Sequence, residues 1–468
     1  MCIRDRSTEG PRSAVGDVNG DGLEDLFVCG ASGQAGSLLI QKQDGSFAGS
    51  NKQLFEQDKV SEDTDCVLFD ADGDGDLDLY VASGGNEFSS SSSSLADRLY
   101  LNNGRGRYTR SPQILPRGRY ESTACVRAAD FDMDGVTELF VGLRLRPFLY
   151  GVPVDGYLLE NDGKGNFTNV SEQLAPGLKE VGMLRDMQWE DVDGDGDPDM
   201  ILAGDWMPLK IFINENGSFR EEEEAFASSS SAGWWNCIAS GDFDADGDMD
   251  FVAGNHGLNS RFKASAERPV TMYVNDFDRN GSAEQLITVF EGDSAYPLAL
   301  KHDLTRQIPT LLKKYPRYEL YKEQTITDIF APEQLANAIH LEAARLESAL
   351  FFNDGSGHFT MAPLPVEVQF STVMAAETGD FNGDGKIDLL LGGNLYHVKP
   401  EVGRYDASYG HFLEGDGAGG FREIPPRNSG LRLEGEVRDI QRIQTPAGSM
   451  LIVARSNDAL QLFRIQEQ

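Results

Sequence analysis

One nine-residue pattern recurs seven times along the 468-residue chain and limits the fold more than any other feature. It reads DVNGDGLED from Asp17, DADGDGDLD from Asp70, DFDMDGVTE from Asp130, DVDGDGDPD from Asp191, DFDADGDMD from Asp242, DFDRNGSAE from Asp276 and DFNGDGKID from Asp380. Position 1 is always Asp, positions 3 and 5 are Asp or Asn, position 6 is always Gly, and position 9 is Asp or Glu. A short apolar run follows each copy, such as LYVAS, MILAG or LLLGG, which is how a strand buried on both faces reads. Next comes a Gly- and Asn-rich turn closed by an aromatic, as in LNNGRGRY, ENDGKGNF or FNDGSGHF, the mark of a tight hairpin. One unit is therefore strand, acidic loop, strand, variable loop, strand, Gly turn, strand.

Four-stranded antiparallel units repeated at this spacing predict an all-β fold, a seven-bladed β-propeller with eight blades as the alternative, since radial repetition leaves few exposed edges. The first-Asp spacings of 53, 60, 61 and 51 residues fit one blade each, while the following gaps of 34 and 104 do not. The loops at Asp242 and Asp276 are accordingly assigned to one expanded blade. The final segment, from VRDIQRI onward, keeps the strand rhythm without an acidic loop and is expected to close the ring. Residues 13–468 are read as one propeller domain, residues 1–12 as a non-native or incomplete N-terminus, and residues 294–337, rich in Lys, Leu and Gln and broken by prolines, as a helical insertion. The serine runs at Ser89–Ser94 and Ser228–Ser231 are expected to be flexible loop.

The chemistry of the repeat is that of a calcium loop. Oxygen side chains at positions 1, 3 and 5, a glycine at 6 for the sharp turn and a main-chain carbonyl at 7 match the first half of an EF-hand, and Ca²⁺ accepts such mixed oxygen sets at about 2.3–2.6 Å. Position 12, where an EF-hand needs Glu, holds Val28, Val81, Val141, Leu202, Ala253, Ile287 and Leu391. The last carboxylate comes instead at position 9 and a strand follows, so these are hairpin loops. The expected ligands are Asp17, Asn19, Asp21, Leu23 and Asp25; Asp70, Asp72, Asp74, Asp76 and Asp78; Asp130, Asp132, Asp134, Val136 and Glu138; and Asp191, Asp193, Asp195, Asp197 and Asp199. The remaining copies supply Asp242, Asp244, Asp246, Asp248 and Asp250; Asp276, Asp278, Asn280, Ser282 and Glu284; and Asp380, Asn382, Asp384, Lys386 and Asp388, for up to seven Ca²⁺ ions. The residue at position 7 acts through its carbonyl, so the Asp76 side chain is expected to point outward. Magnesium prefers fewer protein ligands, and the loops contain no Cys or His for a softer metal. The Asp276 loop, with Asn280 and Ser282, carries less charge and is expected to bind most weakly.

Charge supports this reading. Seventy-six acidic residues against 41 basic ones give a net charge of −35, of which 25 acids stand at positions 1, 3, 5 and 9 of the loops. Such a balance argues against nucleic acid as a partner, because that affinity comes largely from Lys and Arg. No apolar run is long enough for a membrane-spanning helix. The five cysteines form no CxxC pair, and Cys66, Cys125 and Cys237, each just before an acidic loop, are read as core thiols.

The loops and their strands resemble the FG-GAP/VCBS-type repeats whose propeller blades carry a DxDxDGxxD calcium loop, as in integrin α-chain heads. The stretches GNHGLNSRFKAS and GGNLYHVKPEVGRYDASYG look like segments of the large bacterial VCBS proteins that carry an ASPIC/UnbV module, and this chain is similar to their C-terminal propeller. That resemblance implies an extracellular or cell-surface protein, with the signal and further domains expected N-terminal to this chain.

If the acidic loops join the first two strands of each blade, the loops joining strands two and three emerge on the opposite face. They include RLRPFLYG, GDWMPLK, GNHGLNSRFK and GGNLYHVKPEVGRYDASYG, rich in Tyr, Trp, Arg and Asn. Arg144, Arg146, Trp206, Arg261, Lys263, Tyr396, Lys399, Arg404 and Tyr405 are the expected ligand-facing set, for an extracellular glycan or protein. The alternative is that these loops pack on one another to seal the propeller mouth. A binding or adhesion module is the leading reading. The competing class is a propeller-based polysaccharide lyase or hydrolase, for which His256 and His397 are the only acid/base pair; no GxSxG or HExxH motif occurs.

Overall fold

The computed structural model describes residues 9–116, 120–226, 231–399 and 402–465. The first eight residues, with Cys2, and Ser228–Ser230 of the second serine run lie outside them.

The apolar run after each acidic loop becomes the second strand of a sheet, and its alternation shows why no polar residue interrupts it. In Asp78–Gly84, Leu79 and Val81 pack with Phe27 and Leu38 of the preceding sheet, while Tyr80 and Ala82 pack with Val126 and Leu139 of the following one. In Asp199–Met207, Met200 and Leu202 face back toward Phe140, and Ile201 and Ala203 face forward toward Phe251. Each strand is buried on both faces because each sheet is sandwiched between two others, and the apolar cores lie between sheets.

Among the described residues eight antiparallel sheets result, most of them four-stranded. Seven form the ring. Blade 1 spans 13–50, blade 2 62–110, blade 3 122–169, blade 4 183–221, blade 5 237–254 with 349–363, blade 6 373–424 and blade 7 437–464. Their first strands are Ser13–Gly16, Glu62–Phe69, Ser122–Ala129, Met183–Glu190, Cys237–Gly241, Val373–Gly379 and Val437–Thr445, and each contacts the next in cyclic order back to the first. The fold is an all-β propeller. A void of about 20 Å³ on its axis is lined by Arg12, Thr64, Ala124, Arg185, Asn236, Met374 and Arg438, one residue beside or within each first strand, together with Glu9.

Buried carboxylates join neighbouring first strands. Asp65 accepts the Val126 N–H at 3.0 Å, Asp186 accepts the Ile238 N–H at 3.1 Å, and Asp439 accepts the Ser13 N–H at 2.8 Å and its hydroxyl at 2.6 Å. The last pair closes the ring across 426 residues of sequence. Arg127 bridges two of these acids, reaching Asp65 at 2.6 Å and also contacting Asp186.

Three expectations need correction. The Asp276 loop is not part of blade 5 but joins two strands of a separate sheet, Val270–Asn275 and Glu284–Glu291, which is inserted between the second and third strands of that blade. Of the stretch 294–337, Ser294–Pro297 is a strand of the same sheet, and helices begin only at Lys301. Short helices at Lys301–Gln307, Leu311–Lys314, Ile326–Ile329 and Pro332–Ala336 bury Leu304, Ile308, Ile326 and Phe330 against Phe277 and Leu286 of the sheet. The Ser89–Ser94 run ends in a single 3₁₀ turn, Ser93–Leu95, capped by Ser92 and anchored by the buried Leu95. Cys29, Cys66, Cys125 and Cys237 are free and buried, and burial pushes the Cys237 thiol up to about 12.

Candidate functional site

All seven acidic loops share one hydrogen-bond scheme. The carboxylate at position 1 accepts the N–H of the position-6 glycine at 2.7–3.2 Å. The side chain at position 5 accepts the N–H of position 7 at 2.8–3.1 Å. The acid at position 9 accepts the N–H of position 2 at 2.9–3.2 Å. The position-6 glycines hold φ of 80° to 101°, a conformation only glycine adopts without strain. Position 4 is left-handed too, and there Met133, Ala245 and Arg279 occupy φ of 61° where the other copies have glycine.

This folding draws the acids together. Asp70, Asp72 and Asp78 offer oxygens within 4.8 Å of one another, as do Asp130, Asp132 and Glu138; Asp191, Asp193 and Asp199; Asp242, Asp244 and Asp246; and Asp276, Asp278 and Glu284. In the Asp17 and Asp380 loops, Asn19 and Asn382 replace the position-3 carboxylate by an amide. Burial, reinforced by neighbouring acids, raises the position-9 carboxyls: Asp78 and Asp199 to about 7, Glu138 to about 8, Asp25 and Asp250 to about 6. Asp72, Asp132, Asp193 and Asp244 are raised for the same reasons. Buried oxygens of Asp72, Asp244 and Asp278, all at position 3, have no hydrogen-bond partner among the described residues. Converging carboxylates that resist ionisation and leave buried oxygens unpaired fit a divalent cation bound through oxygen. The outward direction expected for Asp76 is not observed. One of its carboxylate oxygens is buried without a partner, burial and the neighbouring Asp74 raise its carboxyl to about 6, and its side chain lies against the Gly104 turn of its own blade.

On the opposite face the nine expected ligand residues divide. Arg144 is buried, bonding Asp205 at 2.9 and 3.2 Å and contacting Glu9; Arg146 bonds Glu121 at 2.8 Å. Lys399 pairs with Asp303 of the inserted helices at 3.3 Å, and Lys263 donates to the Leu258 carbonyl at 3.3 Å. These four bind the protein's own groups. Arg404 stacks over the Tyr396 ring at 5.2 Å, and Arg261 lies 5.6 Å from the Phe262 ring; both arginines are exposed.

Trp206 and Tyr405 belong to an aromatic cluster that also contains Trp234, His256 and Phe262. Ring centres are 4.9 Å apart for Trp206–Trp234, 5.0 Å for Trp234–His256, 4.9 Å for Trp234–Phe262 and 4.7 Å for His256–Tyr405. The Trp234 indole N–H, His256 Nε2 and the Tyr405 hydroxyl are buried without a hydrogen-bond partner among the described residues. Desolvation alone lowers His256 to about 4, so the ring is neutral at pH 7. His397 lies in different surroundings, with Nδ1 3.2 Å from Glu436. Trp206 holds a φ of 58°, which costs a bulky side chain about 1–2 kcal/mol. Beside it opens a cavity of about 380 Å³ lined by Pro153, Val181, Met183, Asp205, Met207, Pro208, Leu341, His340 and Glu342, where blade 4 meets the inserted sheet. Trp234 and Phe262 escaped the sequence reading because nothing local marks them: the pairing of Gly233–Trp234 with Asp199–Met207 sets Trp234 beside Trp206, and Phe262 comes from the segment leading into the inserted sheet.

Fold and loops define a β-propeller with acidic hairpin loops whose carboxylates could hold a metal ion. The family model for the FG-GAP-like repeat matches residues 17–81, 70–141 and 191–253, and the chain carries FG-GAP-like repeats. The match covers the repeats and does not extend to the ASPIC/UnbV-associated group. No curated protein matches the chain. Solved structures that resemble it include the Vibrio cholerae biofilm matrix protein Bap1, at 10% identity and a TM-score of 0.41 over 99% of this chain and 88% of that one. Rhamnogalacturonan lyase YesW resembles it at 11% identity and 0.41 over 97% and 71%, and Saccharomyces cerevisiae Sqt1 at 10% and 0.46 over 99% and 98%. Among the described residues no helix is long and apolar enough to cross a membrane.

Proposed function

We propose that this chain is a calcium-stabilised binding module, acting at the cell surface or outside the cell, that engages a glycan or protein partner through the face opposite its metal loops. The loops take Ca²⁺ through positions 1, 3, 5 and 9 and the position-7 carbonyl, with no part in partner recognition. The observation that carries the second half is the cavity of about 380 Å³ beside the strained, buried Trp206. Its volume lies in the range of small-ligand pockets, and its apolar walls carry a few polar groups, Asp205, His340 and Glu342. Exposed Arg261 and Arg404, each stacked on an aromatic ring, add contacts on the same face. A lyase or hydrolase needs an accessible base; His256 is enclosed by aromatic rings, which leaves only the exposed His397, 3.2 Å from Glu436, for that role. A glycan array on the calcium-loaded protein, combined with an assay for new reducing or unsaturated ends, tests the reading. Retention without turnover, abolished in Trp206→Ala or Arg404→Ala, is expected. Turnover, or retention indifferent to both substitutions, refutes it.

A further inference from the structure

The third strand of most blades ends in an asparagine whose contacts cross from one blade to the next. Asn102 of blade 2 donates through Nδ2 to the Val18 carbonyl in the blade 1 loop at 2.7 Å and to Leu77 in its own loop at 3.0 Å. Asn161 of blade 3 donates to Ala71 of the blade 2 loop at 2.9 Å and to Thr137 of its own at 3.0 Å. Asn214 of blade 4 reaches Phe131 at 2.7 Å and Pro198 at 3.1 Å, and Asn353 of blade 5 reaches Val192 at 2.8 Å and Met249 at 3.3 Å. Every one of these carbonyls belongs to position 2 of the preceding loop or position 8 of the asparagine's own. The N–H groups of Asn102, Asn214 and Asn353 also bond the position-9 carboxylate of their own loop, at 2.6–2.8 Å.

Both ends of a loop are thus held by two asparagines, one on each side. Elsewhere the device varies. In blade 1 Gln41 bonds the Glu24 carbonyl at 2.6 Å and the Gln444 carbonyl of blade 7 at 3.0 Å. In the inserted sheet Gln334, on a short helix, bonds Phe277 of the Asp276 loop at 3.1 Å. Blade 6 has glycine at this place, and the backbone N–H of Gly419 bonds Phe243 of the blade 5 loop at 3.0 Å. In the loop at Asp380 the Gly415 N–H still bonds the position-9 Asp388 at 3.0 Å, but among the described residues no bond from a neighbouring blade reaches its position-2 carbonyl and no side chain reaches its position-8 carbonyl.

We propose that Asn102, Asn161, Asn214 and Asn353 couple the ion sites of blades 1 to 5 in series, each acting as a positioning residue for two consecutive sites. An ion ordering one loop fixes its position-2 and position-8 carbonyls. The shared asparagine is then held in place, and the neighbouring loop loses less freedom when its own ion arrives. Adjacent sites therefore fill cooperatively, while the Asp380 loop fills independently. The inference rests on the reading that the loops bind calcium, and the experiment separates the two.

Trp189 supplies a local reporter, since its ring stacks on Phe131 of the blade 3 loop and it stands two residues before Asp191 of the blade 4 loop. Asn214 bridges those same two loops. Terbium luminescence sensitised through Trp189 and titrated in the full chain, with calcium as competitor, reports on this pair. The native curve is expected to be steeper than a single-site isotherm. In Asn214→Ala the backbone N–H still bonds Asp199 while both side-chain bonds to the loops are lost, so the midpoint should rise by up to roughly tenfold, the lower end of what losing a supporting partner costs a metal site, and the curve should flatten. Asn102→Ala, which touches only the first two loops and reaches the blade 3 loop only through Asn161, should shift the signal less than Asn214→Ala does. As a check that does not depend on folding of the Asn214 variant, Asp191→Asn at the invariant first position of the blade 4 loop should weaken terbium binding at the blade 3 loop. An unchanged midpoint and slope in Asn214→Ala, or an undisturbed blade 3 site in Asp191→Asn, overturns the coupling while leaving the calcium sites intact. Absence of any sensitised terbium signal in the native chain overturns the calcium reading as well.

Discussion

Replacing Arg127 by alanine should cost about 3 kcal/mol. Arg127 belongs to blade 3, yet its guanidinium reaches Asp65 of blade 2 at 2.6 Å and contacts Asp186 of blade 4, and those two acids are only 2% and 1% exposed. Removing one partner of a buried ion pair typically costs about 3–5 kcal/mol, because the remaining charge stays buried without its counter-ion. Two carboxylates are orphaned here, which pushes toward the upper end. Several donors survive and push back. Asp65 keeps the N–H groups of Cys66 at 2.9 Å and Val126 at 3.0 Å, Asp186 keeps those of Met187 at 3.0 Å and Ile238 at 3.1 Å, and Arg12 remains 3.7 Å from Asp186. The lower end of the range is therefore expected. Arg127→Lys should fall between alanine and native, since an ammonium cannot fork between two carboxylates held by different blades. Equilibrium guanidinium unfolding in saturating calcium, which keeps the loops constant, measures both variants. A loss below about 1 kcal/mol for the alanine variant would mean that the axial ion pairs do not hold the ring together.

Chelation of calcium should lower the melting temperature, because a ligand bound only by the folded chain stabilises it by mass action; an unchanged midpoint in a chelator would count heavily against metal loops. Ala245→Gly removes a left-handed alanine at φ 61° and should stabilise the protein by up to about 1 kcal/mol, whereas Gly194→Ala, at φ 79° in the equivalent place, should destabilise it by at least as much; equal effects of the two in chemical denaturation would contradict the shared loop geometry. Glu377 is raised to about 8, first by burial and then by Asp439, with Arg442 opposing. A carboxyl raised in the folded state contributes stability that is fully present below pH 4.5 and lost as the pH climbs toward 8. Glu377→Gln in saturating calcium should consequently flatten the decline of stability between pH 5 and 8.5, and an identical slope in both proteins would show that Glu377 is not the group responsible.

The repeat was legible because its demands are local. Asp at 1, Gly at 6 and an acid at 9 specify turns that close within nine residues, and the apolar run behind them specifies a strand buried on both faces; sheet composition, propeller class and converging carboxylates follow. Other features were not legible from local spacing. The left-handed position 4 was masked because Met133, Ala245 and Arg279 tolerate it, and the extra sheet was hidden because its acidic loop copies those of the blades. The opposite face shows the limit most clearly. Arg144 and Tyr405 stand in loops of similar composition, but one is bound to a carboxylate and the other is packed on His256.

By itself, then, the sequence determined the unit: an acidic hairpin loop and the strand it positions, both governed by contacts a few residues apart. Only the tertiary structure decided how units meet. Ring closure at Ser13 and Asp439, the asparagine bonds between loops and the Trp206 cluster all join residues far apart in the chain. Such contacts depend on the angle and spacing of whole sheets, which no window of sequence encodes.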